Sequence, residues 1–400
     1  MKLKTLDNFE FKEKKVLLRI DVNSPVVDGK IIDSPRFKES STTIAELSEK
    51  GAKVVILAHQ GRKGEQDFLP LEQHAAILSK HVNKKVEYID DLFGSKALEK
   101  INSLYGGEVV LLKNVRDFED EMNIKDKNNR YAELCRNFDI YVNDAFPASH
   151  RNQGSIVIPP KYLPSCVGRA FERELDALKN FNLGASKKIA LLLGGSKAED
   201  YLPLFNVLKN KKNKILASGV FANIMLVANG TNLGYETKWL KDEGYSSLMP
   251  KIKKLCKKYE KQIVLPVDFA LGDLNVKKAK RVVKNIQDAP FENKIWDVDK
   301  KTLELFKENL KDVDSIFMKG PLGYSEIPQF SFATVAILKY LSNLSKEKKV
   351  FILIGGGHLS TTIQEYKIPN NFSHISPSGG ALIAYLAGEK LPGIEALEKP

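Results

Sequence analysis

Short, uninterrupted apolar runs recur along this chain, and longer amphipathic stretches separate most of them. The runs are 15-KVLLRI-20, 53-KVVIL-57, 109-VVLLK-113, 139-DIYVN-143, 188-KIALLL-193, 214-KILAS-218, 263-IVLPV-267, 314-DSIFM-318 and 349-KVFILI-354. A strand with one wet face alternates apolar and polar residues, whereas a continuous run marks a strand covered on both faces. Such strands alternating with helices predict parallel sheets built from βαβ units. Nine or more strands in 400 residues exceed one doubly wound unit, so the chain reads as two α/β blocks.

The stretch 163-LPSCVGRAFERELDALKNFNLG-184 marks the boundary. Leu163, Val167, Phe171, Leu175, Leu178 and Phe181 recur at helical spacing, with Ser165 as N-cap and Gly184 as the C-terminal stop. The expected organisation is a first domain over 1–162, a connecting helix over 163–184 and a second domain over 185–380, with a tail over 381–400. No apolar run approaches the ~20 residues of a membrane-spanning helix. The N-terminal MKLKTLDNFEFKEKK lacks the apolar core of a secretory signal, so a cytoplasmic location is expected. Three scattered cysteines, with no CxxC pair, support neither a disulfide framework nor a cysteine-built zinc site.

The net charge of +12 suggests an anionic partner, and the kind of cation narrows the choice. Ten of the 62 basic residues are arginine, so lysine supplies the general surface charge, as it tends to in heat-adapted proteins. Arginine is the residue suited to bidentate phosphate and carboxylate contacts, and seven of the ten lie in residues 1–151. Five of these seven, with two histidines, sit at or just after strand ends. Arg19 precedes Asp21 and Asn23; Arg36 lies in 33-DSPRF-37; His59 and Arg62 close 58-AHQGR-62; Arg116 follows the third run; His150 and Arg151 follow the fourth. In open parallel sheets ligands bind beyond the carboxyl ends of the strands. Five arginines and two histidines gathered there repel one another unless an anion sits among them. A pocket for a small, multiply negative molecule is expected, with Asp21 and Asn23 available for its neutral oxygens.

The second block carries glycine at each strand end: 194-GGSK-197, Gly219, 320-GPLG-323, 355-GGGH-358 and 378-SGG-380. Glycine lets backbone N–H groups approach a phosphate, and a following helix N-terminus adds positive potential. Neither GxGxxG nor GxxxxGK[ST] is present, which disfavours a nicotinamide-dependent dehydrogenase and a P-loop enzyme. Lys197 can reach a phosphoryl group from the cradle, and Glu326 can accept hydrogen bonds from ribose hydroxyls. An anion pocket and a nucleotide cradle together suit phosphoryl transfer, in which positioning and charge stabilisation do most of the work. A basic polyanion- or nucleic-acid-binding protein is the alternative, but no aromatic platforms interleave with the basic residues.

In order, RIDVN, AHQGR, KNVRDF, DAFPASHR, LLLGGSKAED, LPVDF, MKGPLGYSE, IGGGH and LPGIEAL resemble the motifs of the phosphoglycerate kinase family, from about residue 15 onward. The resemblance implies two Rossmann-like domains joined by a hinge helix, with the tail packing back on the first domain. It implies reversible transfer of a phosphoryl group between 1,3-bisphosphoglycerate with ADP and 3-phosphoglycerate with ATP, in line after hinge closure, with Mg2+. It implies a monomer, with a homodimer possible, that engages neither nucleic acid nor membrane. Carried over by motif, Arg19, Asp21, Val22, Asn23, Arg36, His59, Gln60, Gly61, Arg62, Arg116, His150 and Arg151 surround the phosphoglycerate. Arg36 meets the reacting carboxyl end, and Lys197 holds the transferring group. Gly194, Gly195, Lys197, Gly219, Gly320, Pro321, Glu326, Gly355, Gly356, Gly357, His358, Gly379 and Gly380 hold the nucleotide.

The chain also departs from the family pattern. His358 stands where many members carry a magnesium-binding aspartate, and magnesium prefers oxygen, which leaves Asp200 and the nucleotide's own oxygens as its ligands. Tyr201 replaces a second lysine, Lys319 a usual asparagine, and Gln153 a patch histidine. Lys319 is the candidate to supply the charge that Tyr201 lacks. Several of these replacements resemble the family's archaeal branch.

Overall fold

The continuous apolar runs reflect strands sandwiched between two cores. In this computed structural model, which describes residues 3–126, 128–181 and 187–398, Val16, Leu18, Val54 and Ile56 face one hydrophobic core. Leu17, Val55 and Leu57, the alternate residues of the same strands, face another. The period of two survives, but both faces are dry. Contacts divide the chain into two units, one reaching Asp176 and including the segment from Glu389, the other spanning Ala177–Gly388.

The first unit holds six parallel strands. Their spatial order is Val86–Ile89, Val109–Leu112, Lys53–Leu57, Lys15–Arg19, Ile140–Asn143 and Ser165–Val167. Arg19 lies opposite Leu57 on one side and Asn143 on the other. Early crossovers build outward on the Lys53 side and later ones on the Ile140 side, so the topology switches beside Lys15–Arg19. Such a switch point opens a crevice at the carboxyl ends. The helix Pro35–Glu49 begins there, with Ser34 extended at its N-cap and Pro35 at its first position. It buries Phe37, Ile44 and Leu47 on the sheet and leaves Arg36 in its first turn.

The connecting helix starts later than its periodicity predicts. Ser165–Val167 pairs as a strand with Tyr141–Asn143, and the helix runs Arg169–Phe181. Ser165 is therefore not its cap. Thr43 Oγ1 accepts from the Arg169 N–H at 2.8 Å, and Asp144 Oδ1 from the Phe171 N–H at 3.0 Å. A Cβ on Gly168 would lie 2.5 Å from the Asp144 carboxylate, so capping from outside leaves room only for glycine. The expected stop, Gly184, lies outside the described residues.

The second unit repeats the plan with parallel strands ordered Ile263–Val264, Lys214–Ala217, Ile189–Leu193, Ser315–Lys319, Phe351–Gly355 and His374–Ser376. The run 263–267 is not one strand. Pro266 cannot donate to a ladder, and beyond it Asp268–Gly272 joins an antiparallel sheet with Val282–Asn285 and Lys294–Val298. The helix Gly380–Leu386 packs on Leu202–Lys209 within this unit, so the crossing back begins at Glu389 and not at 381. From there Pro392–Glu398 packs on Gly154–Val157 of the first unit. Among the described residues no helix is long and apolar enough to cross a membrane.

Candidate active-site residues of the two units

At the switch point of the first unit, two loops are tied together before any ligand arrives. Asn23 Oδ1 accepts from the Gly61 N–H at 2.9 Å, and the Asn23 N–H donates to Asp21 Oδ1 at 3.0 Å. Gly61 has φ +64°, and a Cβ there would stand 2.4 Å from the Asp67 backbone, so the turn admits only glycine. Arg36 reaches Asp21 Oδ2 at 2.5 Å, and Arg116 donates to the Gly61 carbonyl. Burial opposes ionisation of Asp21. The guanidinium charges of Arg36 and Arg19, with the Asn23 amide, outweigh it and hold the carboxyl down to about 2.

His59 is buried, and loss of water together with the cations of Arg19, Arg151 and Arg36 drives its pKa down to about 3, against the pull of Asp21. The ring is neutral at pH 7. Arg19 Nη2 lies 3.0 Å from His59 Nδ1, and a guanidinium can only donate. Nδ1 therefore accepts, which puts the ring proton on Nε2 and makes that nitrogen a donor. Burial also lowers the Arg151 pKa; Arg62, Arg19 and Arg36 push the same way, and Asp21 opposes them. Arg19, Arg36, Arg62 and Arg151 thus share one electrostatic basin. His150 Nε2 lies 3.4 Å from Arg151 Nε at its edge. Arg62 is the most open member, with its side chain 71% exposed and Glu65 at 3.7 Å.

Three residues of the expected ligand shell offer no surface to a ligand. Arg19, Val22 and Gln60 are each 0% exposed. Gln60 spends its amide on Ser24, Asp67 and His74. Arg19 donates to Ser155 Oγ at 2.9 Å and to the Ile20 carbonyl, besides His59. Ser155 passes the interaction on: its hydroxyl donates to Glu121 Oε1 at 2.9 Å, and its N–H to Oε2 at 2.8 Å. Burial pushes the Glu121 carboxyl up, and Arg19 and Ser155 pull it back. Arg19 is a support beneath the basin and not part of its lining. Glu121 and Ser155, which complete that support, carry no strand-end signal in the sequence.

In the second unit the glycines divide into two kinds. A Cβ on Gly194 would lie 2.1 Å from the Pro321 carbonyl, and one on Gly320, at φ +75°, would lie 2.2 Å from that of Gly194. A Cβ on Gly219 would likewise meet the Gly195 N–H at 2.7 Å. These glycines lock neighbouring strand ends together. Gly355 faces Phe317 and Leu382 in the core. The space at Gly356, Gly357 and Gly379 is open, and Lys319 Nζ would be 3.7 Å from a Cβ at either Gly356 or Gly379. Gly380 opens the following helix. Burial lowers the Lys319 pKa to about 8, with Asp200 opposing and Lys197 assisting. Lys197 and Asp200 are exposed at the start of Ala198–Tyr201. Tyr201 donates to the Gly194 carbonyl at 2.7 Å, so it braces the strand-end lock.

Beside this cradle lies a cavity of about 450 Å³. Gly195, Gly219, Pro321, Glu326 and His358 line it, as do Asn223, Trp239, Lys294, Trp296 and Tyr324. His358 Nε2 is 3.9 Å from Glu326 Oε1, with both side chains largely in water. The second group went unnoticed in the sequence. The one signal was rarity, since the chain has only two tryptophans and both are here. Among the described residues no cluster of three or more His, Cys, Asp or Glu side chains forms a metal site.

Comparison with known proteins spans both units. The family model described as phosphoglycerate kinase matches residues 6–389. The phosphoglycerate kinase of Methanothermus fervidus is 37% identical over 100% of this chain and 97% of its own length. That of Methanococcus maripaludis is 41% identical, covering 99% and 98%. The crystal structure of phosphoglycerate kinase from Pyrococcus horikoshii superposes with a TM-score of 0.89 at 35% identity, covering 98% of each chain. A structure of the enzyme from Coxiella burnetii gives 0.81 at 27% identity, covering 99% of each. An arginine basin at one switch point, a glycine-lined cleft at the second sheet and full-length relatives of one kind converge: the chain belongs to the phosphoglycerate kinase family.

Proposed function

We propose that this chain interconverts 3-phosphoglycerate with ATP and 1,3-bisphosphoglycerate with ADP, with the residue roles assigned below. The observation that carries the substrate assignment is the basin of the first unit, where Arg36 and Arg151 act on the Asp21 carboxylate and a neutral histidine, with Arg62 beside Arg151. Positive charge in such excess suits an acid with both a phosphate and a carboxylate. Arg116 and Arg151 grip the phosphate side, with His150 at the edge. Asp21, Asn23 and the His59 Nε2–H address the hydroxyl and carboxyl oxygens. Arg36 holds the carboxylate that attacks.

In the forward step a carboxylate oxygen forms a bond to the terminal phosphorus of ATP, and the bond from that phosphorus to ADP breaks. Charge spreads over the equatorial phosphoryl oxygens, and fixed cations stabilise it without reorganisation. Lys197 is the cation assigned to those oxygens, and Lys319 to the phosphates above Gly356 and Gly379. Glu326 addresses the ribose. A magnesium ion bound with the nucleotide would further neutralise its phosphates. Asp200, an exposed carboxylate, is the residue assigned to give it one oxygen, an arrangement that ion accepts when phosphates and water supply the rest. The polyanion-binding alternative gains no support from the comparisons.

The test is a coupled assay for ADP formation that depends on both ATP and 3-phosphoglycerate. Turnover is expected with saturating magnesium, and its absence would refute the proposal.

A further inference from the structure

The first residue of the connecting helix uses every donor its side chain has. Arg169 opens Arg169–Phe181, and each N–H of its guanidinium meets a carboxylate. Nε donates to Glu46 Oε2 at 2.7 Å, and Nη2 to Glu46 Oε1 at 2.8 Å. Nη1 donates to Asp7 Oδ2 at 3.0 Å and to Glu172 Oε2 at 2.8 Å, and Nη2 also reaches Asp7 Oδ1 at 2.6 Å. These bonds hold the Asp7 and Glu46 carboxyls below their ordinary range, so both are ionised at pH 7. The backbone N–H of Arg169 is the one that Thr43 Oγ1 accepts. Glu46 and Thr43 both belong to Pro35–Glu49, the helix whose first turn carries Arg36.

Apolar packing presses that helix onto its sheet, but such contact has no direction. A bidentate contact between guanidinium and carboxylate fixes direction as well. At about 1.5 Å per residue, Arg36 stands about 10–15 Å along the rod from Thr43 and Glu46, so a tilt of about 5° there moves it by about 1 Å. We propose that Arg169 is a positioning residue for Arg36. Its clamp makes the connecting helix and the Arg36 helix turn as one piece, so any turn of the connecting helix re-aims the guanidinium assigned to the attacking carboxylate. This rests on the role given to Arg36 in the kinase function proposed above.

The test is a double-mutant cycle in the full chain, with kcat read at saturating ATP and 3-phosphoglycerate. Arg169→Met keeps the apolar stem and removes the clamp. It should lower kcat about tenfold, within the roughly 10²-fold that a 1 Å misplacement can cost, and leave the KM for ATP unchanged. In an Arg36→Ala background the same substitution should change kcat by about twofold at most, because nothing is left to aim. Arg169→Lys lacks the planar fork and should recover only part of the loss. Should Arg169→Met fail to fold, Glu46→Gln, which takes one carboxylate from the clamp, goes through the same cycle. A kcat that the substitution leaves unchanged, or lowers equally with and without Arg36, would overturn the proposal and reduce the clamp to a matter of stability. No turnover by the wild type, or full activity in Arg36→Ala, would instead sink the reading of the site on which the proposal rests.

Discussion

The two units share a plan, a six-stranded parallel sheet with chemistry at its carboxyl edge, yet they make their anion sites from different material. The first uses side chains. Its cations converge on Asp21 and His59, and buried groups hold them from below: Arg19 under His59, Ser155 under Arg19, Glu121 under Ser155. The second uses backbone. Strand-end glycines interlock at distances no Cβ could survive, and the open ones leave room above Lys319. A site made of side chains can be tuned by substitution at any layer. One made of interlocked backbone tolerates almost none in the lock and much more beside it.

The largest effects should come from the cations assigned to the reacting groups. Arg36→Ala and Lys197→Ala should each cut kcat about 10²–10³-fold, the range seen when one transition-state donor is removed. If both retain full activity, the side-chain account of the first unit and the role given to Lys197 are wrong. Next, Gly320→Ala should destabilise the second unit by about 2–4 kcal/mol, since it forces a methyl group onto the Gly194 carbonyl. Thermal unfolding measures that, and Gly357→Ala is the control, because nothing lies within 4 Å of its Cβ position. Equal stability of the two variants would dissolve the distinction between locking and open glycines.

A smaller effect concerns pH. The phosphate contact proposed for Lys319 needs its protonated form, and its pKa stands near 8, below the usual lysine value. Affinity for ATP should therefore weaken as pH rises through about 8. Lys319→Arg should flatten that profile by staying charged, and Lys319→Met should flatten it at the weaker level. A wild-type KM for ATP that is constant from pH 7 to 9 would remove Lys319 from the nucleotide site. The smallest effect is expected beneath the basin. Ser155→Ala breaks the relay from Arg19 to Glu121 and should raise KM for 3-phosphoglycerate several-fold, with little change for ATP, consistent with about 1 kcal/mol per hydrogen bond. Equal changes for both substrates would point to general destabilisation.

What the sequence revealed, and what it hid, follows the same division. Strand ends are local signals, so the arginines after the first four runs and the glycines of the second block could be found from spacing alone. The support under Arg19 could not, because Ser155 lies 136 residues away and reads as part of an unremarkable turn. The connecting helix was misplaced at its start because Val167 fits a helical stripe and an edge strand equally well; pairing with Tyr141–Asn143 decides between them. The wall of the second unit's cavity was missed for a related reason. Asn223 sits in an otherwise apolar helix, and Lys294 and Trp296 belong to an antiparallel sheet that the run 263–267 concealed.

One feature of the first unit bears on how the chain is made. Gly393 donates its N–H to the Ser149 carbonyl at 2.9 Å, and a Cβ there would press on the Ser149 side chain, immediately before His150 and Arg151. A ribosome must synthesise all of Ala177–Gly388 between those two partners. The loop carrying Arg151 therefore gains this brace only after the whole of the second unit has been made, so a nascent chain can shape most of its first sheet early and still lack that support beside Arg151.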